Sequence, residues 1–355
     1  MPQESRPYQL FVGSYSAAAE EGLRILAFDP EHGKLQHLQG LSGIDSPSFL
    51  AFDAQRSRLY AVSETGDGNV QGGAVVAVRV DPASGQLTEI NRQPTYGDHP
   101  CHLAIDPSGE WLLLVNYTGG SIAVYPIDGD GALGPVSQKL AHAGSSVNAE
   151  RQEGPHPHAI YAVPGTDCYL VNDLGTDTVY AYRLDRQQGA LLPHRETKVE
   201  PGVGPRHLAI HPTRPIVYVI EELTSAIAVF AFDASEGSLT HLQTVSTLPD
   251  SFAGESTCAE VAVSRDGKYV YGSNRGHDSI ASFRVGADGL LEPIGHTPSG
   301  GKTPRNFLPL PDGKWLLAAN QDSDWVAVLS IDADGYPTPT DEGYAMRKPV
   351  CIRLR

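Results

Sequence analysis

The segment GPHPHAIYAVPG, residues 154–165, places His156 and His158 two positions apart at the predicted start of a strand. Alternate residues of an extended segment face the same side, so both imidazoles would point one way. Such a pair can bind zinc, or it can transfer protons near neutral pH. A catalytic zinc site needs about three protein ligands, and no third histidine or cysteine has suitable spacing. We therefore predict no bound metal and no cofactor.

Three arginines occupy similar sequence contexts elsewhere in the chain. Arg206 lies in GPRHLAIHP, Arg275 in YGSNRGHDS and Arg305 in TPRNFLPLP. Guanidinium groups bind carboxylate or phosphate through parallel hydrogen bonds, so three of them together would form an anion pocket. The chain as a whole has a formal net charge of −16 and no Lys/Arg-rich run, which argues against nucleic-acid binding. The expected ligand is a small anion.

The segments that carry these residues are copies of one repeated unit. HPCHLAIDPSGEWLLLVNYTGGSIAVYPID (99–128) matches GPRHLAIHPTRPIVYVIEELTSAIAVFAFD (204–233), and amphipathic helical runs are scarce, so the predicted class is all-β. The first strands of the copies are expected near residues 47, 100, 157, 205, 259, 304 and 349, at intervals of 53, 57, 48, 54, 45 and 45 residues. This period, with about four strands in each copy, indicates a seven-bladed β-propeller.

Tight turns rich in aspartate and glycine provide a second count of the blades. They are DPEHGKL (29–35), DPASGQL (81–87), DGDGAL (128–133), DRQQGAL (185–191), DASEGSL (233–239), GADGLL (286–291) and DADGYP (332–337). The first turn precedes every predicted first strand, and the last first strand follows every turn. We therefore predict one domain, residues 1–355, in which the C-terminal VCIRLR joins the N-terminal strands FVGSYS, LRILAFD and LQHLQG and closes the ring.

In a propeller, the start of the first strand and the end of the second strand of each blade lie at the same mouth of the channel. The first-strand starts are Ser48, Cys101, His158, Arg206, Ala259, Arg305 and Val350, and the second-strand ends are Tyr15, Glu64, Tyr117, Asp173, Glu222, Arg275 and Gln321. The next position inward adds His102, His207 and Glu260. The loop at 140–156, which carries His142, Arg151 and Gln152, should cross the same mouth as a lid or as a surface loop.

The sequence resembles the lactonase family of seven-bladed propellers, which includes bacterial 6-phosphogluconolactonases and a fungal carboxy-muconate cyclase. The resemblance runs nearly end to end and is carried by HAGSSVNAERQEGPHPH, GPRHLAIHP, VYVIEELTS, AEVAVSRDGKYVYGSNRGHDSI and TPRNFLPLPDGKWLLAANQDSDWVAVL. It implies a metal-independent active site of His158, Arg206, Glu222 and Arg275. One departure is Glu221, where the family tends to carry asparagine.

The function expected from this resemblance is hydrolysis of a sugar lactone, with 6-phosphogluconolactone as the first candidate, in the pentose phosphate pathway. His158 or Glu222 would be the general base, and Arg206 would stabilise the oxyanion. The further substrate-binding residues that we predict are Arg305, Arg151, His156, His102, His207 and Gln321. Three alternatives stay open: a cyclase that acts on a muconate-type dicarboxylate, a non-catalytic interaction platform, and a calcium lactonase with Glu64, Asp173, Glu222 and Glu260 as ligands.

The remaining composition bears on the compartment and the partners. Four widely spaced cysteines, Cys101, Cys168, Cys258 and Cys351, form no CxxC pair, and no apolar stretch approaches the length of a membrane span. The N-terminal MPQESRPYQLFVGSY has no signal-peptide pattern. We therefore expect a cytoplasmic protein, a monomer or weak homodimer, that binds a phosphorylated or carboxylated lactone and neither nucleic acid nor membrane.

Overall fold

Each copy of the repeated unit forms a four-stranded antiparallel sheet. The computed structural model describes residues 7–66, 68 and 70–355, and seven such sheets occur in this part of the chain. From the innermost strand outward, blade 1 is β28 (Pro349–Leu354), β1 (Tyr8–Ser14), β2 (Leu23–Asp29) and β3 (Lys34–Leu41); blade 2 is β4 (Leu50–Asp53), β5 (Arg58–Ser63), β6 (Ala74–Val80) and β7 (Leu87–Pro94); and blade 3 is β8 (Pro100–Ile105), β9 (Trp111–Asn116), β10 (Ser121–Pro126) and β11 (Gln138–Ala141).

The other four blades repeat this order. Blade 4 is β12 (Pro157–Ala162), β13 (Cys168–Asp173), β14 (Thr178–Asp185) and β15 (Ala190–Lys198); blade 5 is β16 (Pro205–Ile210), β17 (Ile216–Glu221), β18 (Ala226–Asp233) and β19 (Ser238–Ser246); blade 6 is β20 (Thr257–Val263), β21 (Tyr269–Arg275), β22 (Ser279–Val285) and β23 (Leu291–Pro298); and blade 7 is β24 (Pro304–Pro309), β25 (Trp315–Asn320), β26 (Trp325–Ile331) and β27 (Pro337–Ala345). A 3₁₀ turn, Gln321–Ser323, follows β25. Within the described ranges, no helix has the length and apolarity needed to cross a membrane.

The C-terminal strand closes the ring as the sequence predicted. β28 pairs antiparallel with β1, from Leu10 opposite Leu354 to Gly13 opposite Cys351. The predicted starts of the first strands are right for blades 1, 3, 4, 5 and 7, whereas β20 begins two residues earlier and β4 three residues later than expected. In blade 2 the chain turns at Ser46, with φ of 47°, and pairing with β5 begins only at Leu50. The seven-bladed all-β prediction is confirmed.

The core lies between neighbouring blades. Every residue of β13 and β17 is buried, because the second strand of a blade is covered on both faces by adjacent blades. In the outer strand β15, instead, only one of nine residues is buried and the others are intermediate or exposed, because this strand lies at the solvated rim of the blade. Buried apolar clusters fill all seven interfaces between blades. Packing against both neighbours therefore fixes the position of each blade in the ring.

The Asp/Gly turns also join the blades. The hydroxyl groups of Tyr60, Tyr218 and Tyr271, on second strands, each donate a 3.0 Å hydrogen bond to a carbonyl of the next blade's turn, at Gly131, Gly289 and Gly335 respectively. These three glycines have φ of 85°, 88° and 80°, a conformation that other residues adopt with strain. The turn sequence thus supplies both a hairpin and a contact between blades.

A second link ties the end of a second strand to the preceding blade. Asn274 donates from Nδ2 to the carbonyl of Thr247 at 2.6 Å and accepts from its hydroxyl at 2.7 Å, and Asn320 makes the same two bonds to Ser299. The ladder places Glu221 at the equivalent position of blade 5. Burial there, with Asp177 and Glu200 nearby, raises the pKa of Glu221 to about 7. This carboxyl replaces an amide in an interface that favours a neutral group.

We expect the thermal midpoint of Glu221→Gln to exceed that of the wild type at about pH 8 and to match it near pH 5. The pKa of Glu221 is about 7 in the folded chain, against an ordinary 4.5, so ionisation as the pH rises between these values destabilises the fold. The difference corresponds to at most about 3 kcal/mol of unfolding free energy. Glu292→Gln, at an exposed position of β23, serves as the control. An equal effect of Glu221→Gln at both pH values would refute this assignment.

Candidate active site

Bulges at the starts of the first strands turn functional side chains into the channel. In β8 the residue left without an opposite partner is Cys101, and in β12, β16 and β24 it is His158, Arg206 and Arg305. A bulge lets two consecutive residues face the same side of a strand. Arg206 and His207 accordingly line the same pocket. Four of the seven predicted first-strand positions therefore lie at a bulge, where the regular alternation of side chains along a strand is interrupted.

The ends of the second strands supply the other half of the ring. Tyr15, Glu64, Tyr117 and Glu222 directly follow their strands, and Arg275 ends β21. The predicted position Asp173 is wrong by one residue, because the ladder pairs Pro157 with Asp173 as it pairs Pro205 with Glu221.

Asp173 has a different role, as a link between blades. Its Oδ2 lies 2.6 Å from Nδ1 of His142, and its Oδ1 accepts a 2.8 Å hydrogen bond from the backbone N–H of His156. The side chain of Asp173 is fully buried. It therefore takes the place that Asn274 and Asn320 hold in their blades, outside the channel.

Glu222 is the centre of a cluster of three arginines. Its Oε2 lies 2.8 Å from Nε of Arg206 and 2.9 Å from Nη2 of Arg275, and its Oε1 lies 2.5 Å from Nη2 of Arg151. Arg206 and Arg275 also donate to two successive carbonyls of β20, those of Ala259 at 2.6 Å and Cys258 at 2.7 Å. Charge pairing and backbone anchoring together fix two guanidinium groups side by side.

The electrostatics of this cluster distinguish the two candidate bases. Burial would raise the pKa of Glu222, but Arg275, Arg206 and Arg151 together lower it to about 2. Burial, with Arg206, His207 and Arg305 nearby, holds the pKa of His158 well below its ordinary 6.5. At neutral pH Glu222 is thus an ionised group engaged by three cations, whereas His158 is a neutral imidazole that can accept a proton.

The opposite side of the pocket has a second carboxylate, with a different environment. Oε2 of Glu64 accepts hydrogen bonds from the hydroxyl of Tyr15 at 2.9 Å and from the hydroxyl of Ser48. The guanidinium of Arg305 lies over the ring of Tyr15, 5.3 Å from its centroid. Among the described residues, Arg305 forms no ion pair, in contrast to the three arginines around Glu222. It is the guanidinium most available to an entering anion.

The floor of the pocket separates it from the other end of the channel. Nδ1 of His207 lies 3.0 Å from Oε1 of Glu260, whose other oxygen accepts from Asn306. The His207 ring lies 5.1 Å from that of His158 and 5.3 Å from that of His102. His102 itself lines a separate cavity of about 450 Å³ at the far side. The structure thus puts His207 at the pocket floor and His102 below it.

The remaining predicted residues lie above the pocket or beside it. The linker between β11 and β12 crosses the mouth, and Gln152, which is fully buried, fixes it by donating to the carbonyl of Leu174 at 2.9 Å. The ring of His156 stacks on Tyr117 at 4.5 Å, outside the pocket. The amide of Gln321 donates to the adjacent Asp322, and this residue does not line the pocket.

Of the pocket residues that were not selected from the sequence as substrate contacts, three carry a hydroxyl or carboxyl group, and all three were on the predicted ring. They are Tyr15, Ser48 and Glu64. The available signal was their repeat position, since a lone carboxylate and a hydroxyl pair carry no motif. The pocket has only about 10 Å³ of free volume, which is room for roughly one water molecule.

Comparison with known proteins gives the family. The protein-family model described as "Lactonase, 7-bladed beta-propeller" matches residues 9–354. The chain is 34% identical over 299 residues to the 6-phosphogluconolactonase of Bacillus subtilis strain 168, with 84% of each chain covered, and 32% identical over 307 residues to that of Formosa agariphila, with 84% and 85% covered. The solved structure of the Pseudomonas aeruginosa periplasmic gluconolactonase matches with a TM-score of 0.92 at 32% identity, covering 98% of this chain and 99% of that one. The chain therefore belongs to the lactonase family of seven-bladed β-propellers.

Proposed function

We propose that the protein hydrolyses a phosphorylated sugar lactone, with 6-phosphogluconolactone to 6-phosphogluconate as the reaction, at this mouth of the channel. The observation that supports it best is the local charge. Four guanidinium groups, those of Arg151, Arg206, Arg275 and Arg305, face two carboxylates, Glu64 and Glu222. An excess of two positive charges in a chain of net charge −16 suits a ligand that carries a phosphate.

In the proposed mechanism, water attacks the carbonyl carbon of the lactone while His158 takes its proton. The carbonyl electron pair moves onto its oxygen, and Arg206 stabilises the resulting oxyanion. The intermediate then collapses, the bond between the carbonyl carbon and the ring oxygen breaks, and protonated His158 returns the proton to that oxygen. The low pKa of His158 makes it a weak base but a strong acid for this second step. Arg275 and Arg305 hold the phosphate.

Arg151 is proposed to act as a latch on the linker. Its guanidinium bonds to Glu222 and to the hydroxyl of Tyr117, so it joins the linker to the arginine cluster. A phosphate can compete with Glu222 for this guanidinium, because both are anions with two oxygens that can accept from paired N–H groups. Substrate entry would then move Arg151 from the carboxylate to the ligand, and the linker would serve as a lid.

A cyclase that acts on a muconate-type dicarboxylate is the second candidate, because the same arginines can bind two carboxylates. The relatives named as 6-phosphogluconolactonases favour the hydrolase. Turnover of a phosphorylated lactone and of a muconate-type acid, measured side by side, separates the two. We also propose a cytoplasmic location, on the basis of four buried cysteines that are free thiols.

Replacing Arg206 and Arg275 together by alanine should lower kcat/KM for 6-phosphogluconolactone by about a hundredfold or more, because the oxyanion and the phosphate each lose a charged partner. Arg284→Ala, at an exposed arginine of β22, is the matched control and should leave turnover unchanged. If the double variant fails to fold, the single changes Arg206→Lys and Arg275→Lys keep the charge and should still lower kcat/KM by about tenfold. Unchanged turnover in all of these variants would refute the assignment.

The pH profile of hydrolysis should lack the inflection of an ordinary histidine. Because the pKa of His158 lies well below 6.5, kcat/KM for unphosphorylated glucono-1,5-lactone should be flat between about pH 6 and pH 8, after subtraction of spontaneous hydrolysis. His158→Gln should lose about 10²-fold or more in rate. An inflection close to the ordinary histidine value, abolished by His158→Gln, would contradict the buried neutral imidazole.

Chelation should leave the activity intact. Each of the four carboxylates of the calcium alternative has its own partners: Glu64 accepts from Tyr15 and Ser48, Asp173 contacts His142, Glu222 contacts the arginines and Glu260 contacts His207. Among the described residues, no group of three or more His, Cys, Asp and Glu side chains is arranged to hold a metal ion. Exhaustive dialysis against EDTA followed by the lactonase assay checks this. A loss of activity that calcium restores would favour the metal-dependent alternative.

A further inference from the structure

We propose that Glu64 recognises the hydroxyl groups of the substrate and so determines specificity for polyhydroxylated lactones. This inference rests on the proposed lactonase function and adds the class of lactone to it. Nothing in the arginine cluster distinguishes a sugar lactone from any other anionic ester. A residue that reads hydroxyl groups must therefore lie elsewhere in the pocket, and Glu64 has the required chemistry.

The hydrogen bonds of Glu64 orient its carboxylate. Tyr15 and Ser48 both donate to Oε2. Among the residues that the structure describes, Oε1 has no hydrogen-bond partner and neither oxygen forms an ion pair. Glu64 is half-buried and lines the pocket together with His158, Arg206 and Arg305. One oxygen is thus fixed by the protein, and the other is free for a ligand.

An ionised carboxylate only accepts hydrogen bonds, so its natural partners are donors such as the hydroxyl groups of a sugar. Hydrogen bonds to a charged acceptor are about twice as strong as neutral ones, which favours their use for discrimination. Glu222 cannot take this role, because both of its oxygens are occupied by guanidinium groups. The two carboxylates therefore have different tasks: Glu222 holds cations, and Glu64 accepts from the substrate.

The charge of Glu64 also orients the ligand. A phosphate or a second carboxylate is repelled by the Glu64 carboxylate and attracted to the arginines, so an anion is held by Arg275 and Arg305 and the Glu64 oxygen is left for hydroxyl groups. A muconate-type dicarboxylate has carboxylates and no hydroxyl groups to donate to Glu64. Its binding next to Glu64 is therefore unfavourable. A polyhydroxylated lactone with one phosphate satisfies both sides at once. The position of Glu64 therefore favours the sugar lactone over the dicarboxylate.

The test compares two six-membered lactones, glucono-1,5-lactone with four hydroxyl-bearing ring substituents and δ-valerolactone with none. We expect Glu64→Gln to lower kcat/KM for gluconolactone by about 10- to 100-fold and for valerolactone by less than about threefold. Tyr15→Phe and Ser48→Ala, which only release the other oxygen, should give smaller losses, again on gluconolactone alone. Glu20→Gln, at a surface ion pair with Arg347, is the control and should change neither rate.

Equal losses on both lactones would overturn the proposal, because Glu64 would then act on the carbonyl chemistry or on the fold. The absence of any loss on gluconolactone would overturn it as well. If valerolactone turnover is too slow to measure, calorimetric binding of D-gluconate and of valerate to the wild type and Glu64→Gln gives the same comparison. A wild type that hydrolyses neither gluconolactone nor 6-phosphogluconolactone would refute the proposed function instead. Thermal midpoints identify any variant that fails to fold.

Discussion

The site depends on one buried carboxylate, that of Glu222, which pairs with three guanidinium groups from separate parts of the chain. Arg206 starts blade 5, Arg275 ends the second strand of blade 6, and Arg151 comes from the linker between blades 3 and 4. Buried cations repel one another and lose hydration, so they stay together only with a paired anion and further hydrogen bonds. Glu222 and the two carbonyls of β20 meet that requirement. Removing Glu222 would leave the arginines without the partner that keeps them close.

Ring closure is the structural condition for this interaction. Six apolar clusters fill the seven interfaces between neighbouring blades, so the spacing around the channel is fixed by seven successive contacts. Pairing of β28 with β1 completes the circle and leaves no free edge at the junction. Within that circle the mouth is asymmetric. Paired arginines occupy one side, and Glu64, with Tyr15 and Ser48, occupies the other.

The repeat in the sequence predicted the number of blades, the closing strand and the channel mouth at which Arg206, Arg275 and Glu222 meet. These features follow from strand period and chain order, which a sequence displays directly. The side-chain partners were less accessible. The bulges at His158 and Arg206 break the two-residue alternation, and the one-residue error at Asp173 came from assuming that every blade ends its second strand alike. Which residue faces which neighbour depends on the packed blades, and no local pattern records it.

The same limit applies to Glu64 and Glu221. Both are glutamates near the end of a second strand, and their sequence contexts, YAVSE and VYVIEE, are similar. One lies in the pocket with a free oxygen, whereas the other lies between blades, where burial raises its pKa to about 7. The two positions differ by one residue along the strand. That difference places Glu64 in the pocket and places Glu221 between blades, where Asn274 and Asn320 lie in their own blades.

The most direct measurement is a crystal structure of the protein with 6-phosphogluconate bound. We predict the phosphate at the mouth that contains Glu222, within hydrogen-bond distance of Arg305 and Arg275, with Arg151 turned from Glu222 to the ligand and the sugar hydroxyl groups facing Glu64. A ligand found instead in the far cavity beside His102, or at the mouth without contact to any of these arginines, would contradict the assignment of the site.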